Sequence, residues 1–229
     1  MDIRCFNDKA AAMGENLIET VDVASANLVV GTIYEGGPGL ADEPIHKLIG
    51  TGNMGGIRAR KGKASDGLIA LFSTEDQPEW PDKIDRETGV LTYFGDNRTG
   101  MSDLLDPSGN QHLHTAFRRD LADEKNRVLA PVFFVFTKAE NAPPRSVRFE
   151  GLAVPGSYLP DPEWAVAKWF AEKSGRFQNY VIQVTLLADR VVNRSWVEDL
   201  IAGDGSGQNA PANWRHWVET GVRTPLTSA

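Results

Sequence analysis

The distribution of apolar and polar positions predicts a chain built mainly of β-strands. Short runs rich in β-branched and aromatic residues, bounded by glycine, proline and asparagine, are typical of strands. Such runs occupy residues 27–34, 67–72, 90–94, 130–137, 147–154 and 179–187. The turn sequence at 141–145 lies between two of them and predicts an antiparallel hairpin.

Helical patterns are fewer and lie mostly in the second half of the chain. Asp161 followed by Pro162 predicts a helix start, because Asp is favoured at the N-cap and Pro at the first helical position. Trp164, Trp169 and Phe170 then give that helix an apolar stripe. Other helices are predicted over residues 40–49, 101–130 in part, 194–202 and 211–220.

This mixture of strands and helices predicts an α+β domain with a curved or closed sheet. We expect a single domain over residues 1–229, in which 203–229 form a helical extension or a linker. A hydrophobic content of 41% and a charged content of 24% are typical of a globular protein.

Composition and charge limit which partners the protein can bind and which cellular compartment suits it. The single cysteine, Cys5, excludes an internal disulfide and a cysteine-based zinc site, and it suits a reducing cytoplasm. No apolar run reaches the length of about 18 residues that a membrane span needs, so we expect no membrane partner. The N-terminus lacks the signature of a signal peptide. The net charge of −7 argues against whole-surface binding of nucleic acid but permits a local basic face.

A glycine-rich loop at residues 50–63 carries the densest positive cluster in the chain. Its glycines allow unusual backbone angles and close approach to a ligand. The cations are Arg58, Arg60, Lys61 and Lys63. This composition fits either a loop that follows a phosphate backbone or a flexible surface loop with solvated charges.

Residues 91–100 form a strand that runs into a polar turn. The turn presents recognition groups within a few positions, namely Tyr93, Asp96, Asn97 and Arg98. An ordinary hairpin end with solvated polar residues is the simpler interpretation. In the preceding loop, Trp80 is either a lid on the core or a stacking platform.

Established catalytic motifs are absent from the sequence. It contains no nucleophile elbow, no Walker loop and no dinucleotide fingerprint followed by a helix. His112 and His114 have no third metal ligand nearby, and we expect neither a metal nor a cofactor. Asp82, Asp85 and Asp96 could supply the paired carboxylates of a glycoside hydrolase, which leaves a carboxylate-based hydrolase as an alternative function.

Several segments, in the same order, resemble the N-terminal domain of AspBHI/MspJI-type modification-dependent restriction endonucleases. They are residues 52–58 (GNMGGIR), 79–82 (EWPD), 88–89 (TG), 92–98 (TYFGDNR), 176–180 (RFQNY) and 214–221 (WRHWVETG). The resemblance implies an SRA-like, PUA-like curved β-barrel with flanking helices. It also implies that the partner is double-stranded DNA containing 5-methylcytosine or a related modified cytosine, which is read by base flipping. A C-terminal nuclease domain in the natural protein and a bacterial cytoplasmic location follow from the same resemblance.

Base flipping assigns roles to the singled-out residues. An extruded base needs stacking partners and polar groups on its Watson–Crick edge. Trp80 and Tyr93 are the expected stacking partners, and a carboxylate suits the N4 amino group of cytosine. The SRA pattern nominates Asp82 or Asp85 as this carboxylate. The strand-end geometry nominates Asp96, which we prefer because Gly95 leaves room beside it.

The remaining polar residues are expected to contact the duplex. Arg58, Arg60, Lys61 and Lys63 would hold phosphates or enter the gap left by the flipped base. Arg98 and Asn97 would add further contacts from the strand end, and Asn53 is a candidate gap-filler. A third functional class, a protein-interaction module using the tryptophans from Trp164 to Trp217, requires those side chains to be exposed.

Overall fold

The computed structural model describes residues 16–61, 67–98, 103–159, 165–172 and 175–228. The strands in these ranges are β1 Leu17–Ile18, β2 Leu28–Val29, β3 Ile33–Tyr34, β4 Ile57–Arg60, β5 Leu68–Ser73, β6 Lys83–Asp85, β7 Val90–Phe94, β8 Val132–Lys138, β9 Val147–Pro155, β10 Ala165–Glu172, β11 Gly175–Leu186 and β12 Val191–Val192. The α-helices are α1 Pro44–Ile49, α2 Ser108–Phe117, α3 Glu124–Arg127, α4 Arg194–Ala202 and α5 Ala212–Thr220.

One ten-stranded sheet dominates the described structure. Its main path runs β4-β5-β8-β9-β11-β7-β6, and β1, β3 and β10 pair off this path. The pair of β5 with β8 is parallel, whereas β8 with β9 and β11 with β7 are antiparallel. The predicted α+β class is confirmed. Because β4 and β6 end the described path without pairing with each other, closure into a barrel stays a prediction.

The sheet has a hydrophobic cluster on each face, because successive strand residues point to opposite sides. In β8, Phe134 and Phe136 belong to the cluster that also contains Trp196 and Trp217 of α4 and α5. The neighbouring Phe133 belongs to the other cluster, with residues of β7, β11 and α2. A β-strand buried on both faces explains the continuous apolar run at 130–137.

Two predicted elements differ from the structure. Residues 165–172, expected to be helical, form β10, which pairs with β11 in register from Ala165↔Ile182 to Glu172↔Gly175. Hairpin pairing with the next strand, β11, therefore outweighs the helix-start signal of Asp161 and Pro162, which lie outside the described residues together with Trp164. The predicted strand at 27–34 is divided into β2 and β3 by a turn in which Gly31 has φ +84°.

The tryptophans of the C-terminal helices are buried. Trp196 and Trp217 have no exposed surface, and Trp214 is 2% exposed. Trp214 packs against both of the others, with ring centroids 5.9 Å from Trp196 and 5.2 Å from Trp217. These side chains are core anchors, which counts against an interaction module that uses them as its binding surface.

Candidate functional site

A cavity of about 320 Å³ opens where the glycine-rich loop, the end of β5, the loop before β6 and the end of β7 meet. A backbone hydrogen bond of 2.8 Å, from Phe72 N–H to the Gly56 carbonyl, fixes the loop to β5. The residues that line this cavity are Gly55, Gly56, Arg58, Phe72, Ser73, Thr74, Glu75, Gln77, Trp80, Asp82, Asp96 and Arg98. Three segments singled out in the sequence therefore contribute to one cavity.

Trp80 supplies a large aromatic surface to the lining. Its ring is backed by an aromatic cluster, at centroid distances of 4.8 Å from Phe170, 5.9 Å from Phe94 and 6.1 Å from Phe177. Phe170 and Phe177 belong to the β10–β11 hairpin. Because Trp80 is only 7% exposed, these neighbours hold the indole in a fixed orientation at the cavity wall.

Asp82 lies in the lining, but its carboxylate is engaged by the protein. Oδ1 accepts a 2.9 Å hydrogen bond from Phe94 N–H, and Oδ2 accepts one of 2.9 Å from Ser73 Oγ. Arg98 Nη2 lies 3.9 Å from Oδ2. Burial raises the pKa of Asp82, while these hydrogen bonds and Arg98 act in the opposite direction. Through these hydrogen bonds Asp82 joins β5, β7 and the Trp80 loop.

Asp96 lies in the same lining with a different set of contacts. Its backbone N–H donates to Asn110 Oδ1 at 2.8 Å, which fixes the turn after β7. Among the contacts of the described residues, none is a hydrogen bond to the Asp96 carboxylate. Burial raises the pKa of this carboxyl, and the charge of Arg98 partly opposes the rise. Asp96 thus offers the cavity a half-buried acceptor.

Three buried amides hold the turn that carries Asp96. Asn179 Oδ1 accepts from Asn97 N–H at 3.2 Å and from Asn110 Nδ2 at 3.1 Å. Asn179 Nδ2 donates to the Gly95 carbonyl at 2.9 Å. A Cβ at Gly95 would lie 2.2 Å from Asn110 Oδ1, so only glycine fits there.

The structure places one predicted DNA-contact residue in the interior, and two further residues take part in holding the turn. Asn97, expected at the DNA surface, is 2% exposed and donates from Nδ2 to the Gln178 carbonyl at 2.9 Å. Asn110 and Asn179 were not singled out in the sequence. The 176–180 segment (RFQNY), which carries part of the family resemblance, contains Asn179 and was the sequence signal that could have found it.

Tyr93 does not line the cavity. Its side chain has no exposed surface, and its hydroxyl donates to the Phe72 carbonyl at 2.9 Å. Burial strongly raises the pKa of this phenol. Tyr93 shares its face of β7 with Leu91, and both belong to one core cluster. The predicted stacking role of Tyr93 is therefore not available in this geometry, because neither face of its ring is open.

The predicted basic cluster is largely committed to internal contacts. Arg58 is 7% exposed, forms a 2.8 Å ion pair with Glu43, and lies over the Phe72 ring at 5.6 Å from the centroid. Arg60 Nη1 donates to the Gly50 carbonyl at 3.0 Å. Arg98 donates to Gln77 Oε1 and, from Nε, to the Gly95 carbonyl at 3.3 Å. Arg58 and Arg98, which line the cavity, brace its wall.

Three other predicted site residues, Lys61, Asn53 and Asp85, do not line the cavity. Lys61 is exposed, and it adds to burial in lowering the pKa of His112. Asn53 Nδ2 donates to the Leu40 carbonyl at 3.3 Å. Asp85 caps the β6–β7 turn by accepting from Glu87 N–H at 3.0 Å. Lys63 lies outside the described residues.

Two further features bear on ligands and location. In the described part of the chain, no group of three or more His, Cys, Asp and Glu side chains could hold a metal ion. No helix there is long and apolar enough to cross a membrane.

Residues 28–229 match the family described as restriction endonuclease AspBHI, N-terminal. The chain belongs to this family, which confirms the resemblance seen in the ordered sequence segments. None of the curated proteins matches the chain.

Solved structures show the same fold. The DNA recognition domain of the cytosine modification-dependent restriction endonuclease LpnPI is 32% identical with a TM-score of 0.83, over 93% of this chain and 97% of that domain. The DNA modification-dependent restriction endonuclease AspBHI is 36% identical with a TM-score of 0.83, over 93% of this chain and 100% of that one. The MspJI restriction endonuclease in complex with a 27-mer oligonucleotide, at 22% identity and a TM-score of 0.67, shares the fold over 92% of this chain and 57% of its own.

Proposed function

We propose that this domain binds double-stranded DNA containing 5-methylcytosine or a related modified cytosine and holds the flipped base in the cavity beside Trp80. Membership of the family and the recognition domain of LpnPI support the DNA partner. The observation that carries the proposal is the juxtaposition of Trp80 with the carboxylate of Asp96, which accepts no hydrogen bond from the described residues, in one cavity.

The cavity has the chemistry that an extruded base needs. Its volume of about 320 Å³ lies within the roughly 300–1,000 Å³ of ordinary ligand pockets, so a single base fits. Stacking on an aromatic side chain contributes about 1–3 kcal/mol per base, which offsets much of the cost of unstacking. Trp80 stacks on one face of the base.

Asp96 reads the Watson–Crick edge in this proposal. The N4 amino group of cytosine is a donor, and a carboxylate that accepts no hydrogen bond from the described residues is the matching acceptor. Asp82 is a weaker reader because Phe94 N–H and Ser73 Oγ already occupy both of its oxygens. Asp85 lies outside the cavity lining and caps a turn.

In this proposal the duplex contacts come from the glycine-rich loop. Lys61 and Lys63 meet phosphates, Asn53 sits at the loop that faces the gap left by the base, and the arginines hold the wall in shape. The closed, barrel-like curvature of an SRA-like sheet and the single domain over 1–229 belong to the same proposal. So does a role as the recognition part of a restriction system, together with a nuclease domain of the natural protein.

Binding to matched duplexes tests the function. Fluorescence polarisation with duplexes that differ only in one 5-methylcytosine should show tighter binding to the modified duplex. Equal affinity for the two duplexes at several salt concentrations would rule out a reader of cytosine modification.

A further inference from the structure

Two of the sequence segments that carry the family resemblance do not line the cavity, and both lie where residues 222–228 pack on the sheet. Gly221 is the last residue of the WRHWVETG segment, and it ends α5 with φ +77°. Gly89 belongs to the TG segment and has φ +68°, and a Cβ there would lie 2.6 Å from the Leu226 carbonyl oxygen. Both glycines therefore allow the path that the chain takes after α5.

Backbone hydrogen bonds join this part of the chain to β11 and to the β6–β7 turn. Leu226 N–H donates to the Leu186 carbonyl at 2.8 Å, and Leu186 N–H donates to the Gly89 carbonyl at 2.8 Å. Ser228 donates to the Arg86 carbonyl, from its backbone N–H at 2.8 Å and from Oγ at 3.1 Å. The residues after α5 therefore reach both the start and the end of the turn between β6 and β7.

The β6–β7 turn is connected to one wall of the cavity through β6. This strand begins directly after Asp82, has three residues, and pairs only with β7 among the described strands. A short strand with a single neighbour is only marginally stable by itself. The position of the loop that carries Trp80 and Asp82 therefore depends on how firmly the β6–β7 turn is held.

A second connection between this turn and the cavity is electrostatic. Arg86 Nη1 forms a 3.0 Å ion pair with the buried carboxylate of Glu150 on β9, whose other oxygen accepts from Thr137 Oγ1 at 2.7 Å. Glu75 lines the cavity, and its pKa is raised by burial and by the charge of Glu150 and lowered by the charge of Arg86. A movement of the turn therefore also changes the electrostatic environment of the lining.

Residues 222–228 are held mainly by hydrogen bonds near the surface. Arg223 anchors their first part, because its Nη2 donates to the Pro155 carbonyl at 2.7 Å. Beyond it, Leu226 is half-buried and packs against the hydrophobic cluster of β7, β11 and α2, whereas Thr227 and Ser228 are exposed. Segments with few buried apolar contacts and exposed backbone hydrogen bonds open locally at a low free-energy cost.

We propose that binding of the modified base and docking of residues 226–228 on the β6–β7 turn promote each other. Docking fixes the turn and, through β6, the orientation of Trp80 in the wall against which the base stacks. The bound base in turn holds this wall in the arrangement on which residues 226–228 dock. Leu226 and Ser228 are accordingly positioning residues that act through the turn. This inference rests on the proposed function and adds to it a conformational element outside the cavity.

Thermodynamic linkage makes the two effects equal in size. If docking of residues 226–228 raises the affinity for the modified duplex by some factor, the modified duplex raises the docking equilibrium by the same factor. Since couplings of this kind are typically about 5–150-fold, we expect about fivefold or more. The unmodified duplex should have no such effect, because it leaves the cavity without a base.

Hydrogen exchange of the wild-type chain measures the effect of DNA on docking. Exchange of the Leu226 and Ser228 amides would be followed in the free protein and with saturating duplexes that differ only in one 5-methylcytosine. These amides exchange when their hydrogen bonds to Leu186 and Arg86 open. The modified duplex should therefore slow their exchange by about fivefold or more, and the unmodified duplex should not.

A double variant of Leu226→Ala and Ser228→Pro measures the effect of docking on DNA binding. It removes the apolar contact and the donors to the Arg86 carbonyl. Its affinity for the modified duplex should fall by the same factor by which that duplex slows exchange, with unchanged affinity for the unmodified duplex. Leu226→Met, which conserves the volume of the side chain, should keep the wild-type selectivity. Thr227→Ala, at the exposed position between them, is the matched control, and thermal melting would establish that each variant is folded.

The outcomes separate the coupling from the proposed function. Equal exchange of the two amides with both duplexes, in a wild type that binds the modified duplex more tightly, would overturn the coupling and leave the proposed function standing. A folded double variant with wild-type selectivity would do the same. A wild type that does not distinguish the duplexes would instead overturn the proposed function. The exchange measurement needs no substitution, so it decides the question even where a variant fails to fold.

Discussion

The carboxylate of Asp96 lies directly against the backbone of Gly109, in the first turn of α2. A Cβ at Gly109 would lie 1.9 Å from Asp96 Oδ2 and 3.0 Å from Ile57 Cβ. Gly109 therefore leaves the space that the carboxylate occupies. Asp96 and Gly109 are brought together by the hydrogen bond from Asp96 N–H to the side chain of Asn110.

Gly109→Ala should separate binding from stability. Alanine is favoured over glycine within a helix by about 1 kcal/mol, which offsets part of the cost of the close contact with Ile57 Cβ. The new methyl group displaces the Asp96 carboxylate, and selectivity for the modified duplex should fall at least about tenfold, or roughly 1.4 kcal/mol. Polarisation titrations and thermal melting measure the two effects. Ser108→Ala, at the exposed neighbouring position, is the control, and unchanged selectivity in Gly109→Ala would contradict the placement of Asp96.

Asp82→Ala should reduce stability more than any other aspartate substitution in the region. It removes the acceptor of Phe94 N–H and of Ser73 Oγ, and leaving buried donors unsatisfied costs about 1–3 kcal/mol each. Urea denaturation would measure the loss, with Asp85→Ala, a half-buried position outside the cavity, as the control. A midpoint for Asp82→Ala that equals that of the control would show that Asp82 does not hold the wall together.

Trp80→Ala should mainly weaken binding, whereas Tyr93→Phe should mainly reduce stability. Removing the stacking surface of Trp80 should weaken binding of the modified duplex by about 1–3 kcal/mol. Tyr93→Phe removes only the buried hydrogen bond to the Phe72 carbonyl, so about 1 kcal/mol of stability is lost and selectivity is kept. Duplex titrations of both folded variants measure the difference. Loss of selectivity in Tyr93→Phe would show that Tyr93 takes part in base binding.

Lys61→Ala should weaken binding to modified and unmodified duplexes equally. Log affinity falls as log salt concentration rises, and each lost phosphate contact makes this slope shallower by about 0.9. Salt titrations of Lys61→Ala beside Lys125→Ala, on α3, provide the comparison. A Lys61→Ala variant with the wild-type slope would place the phosphate contacts elsewhere on the surface.

Local patterns predicted much of the fold and the neighbourhood of the cavity. Apolar runs located the central strands, and the segments around Trp80 and Asp96 do line one cavity with the glycine-rich loop. Side chains two residues apart in a β-strand lie on the same face. The alternation in β7 therefore already placed Tyr93 on the same face as the apolar Leu91. The sequence gives no local sign of contacts between distant segments, such as Arg58 with Glu43 or Asn97 with Asn179.

The strand β10 is a second case in which local sequence signals do not decide the structure. The pair Asp161 and Pro162 is a sound helix-start signal when considered alone. Pairing with β11 along the whole of β10 decides the outcome, and local propensity does not include it.

Binding of the wild type and of Asp96→Ala to duplexes that differ in a single 5-methylcytosine tests directly whether Asp96 reads the base. The wild type should bind the modified duplex at least about tenfold more tightly, a difference of roughly 1.4 kcal/mol. Folded Asp96→Ala should bind both duplexes with the weaker, non-specific affinity. A variant that keeps the full preference for the modified duplex would contradict Asp96 as the residue that reads the base.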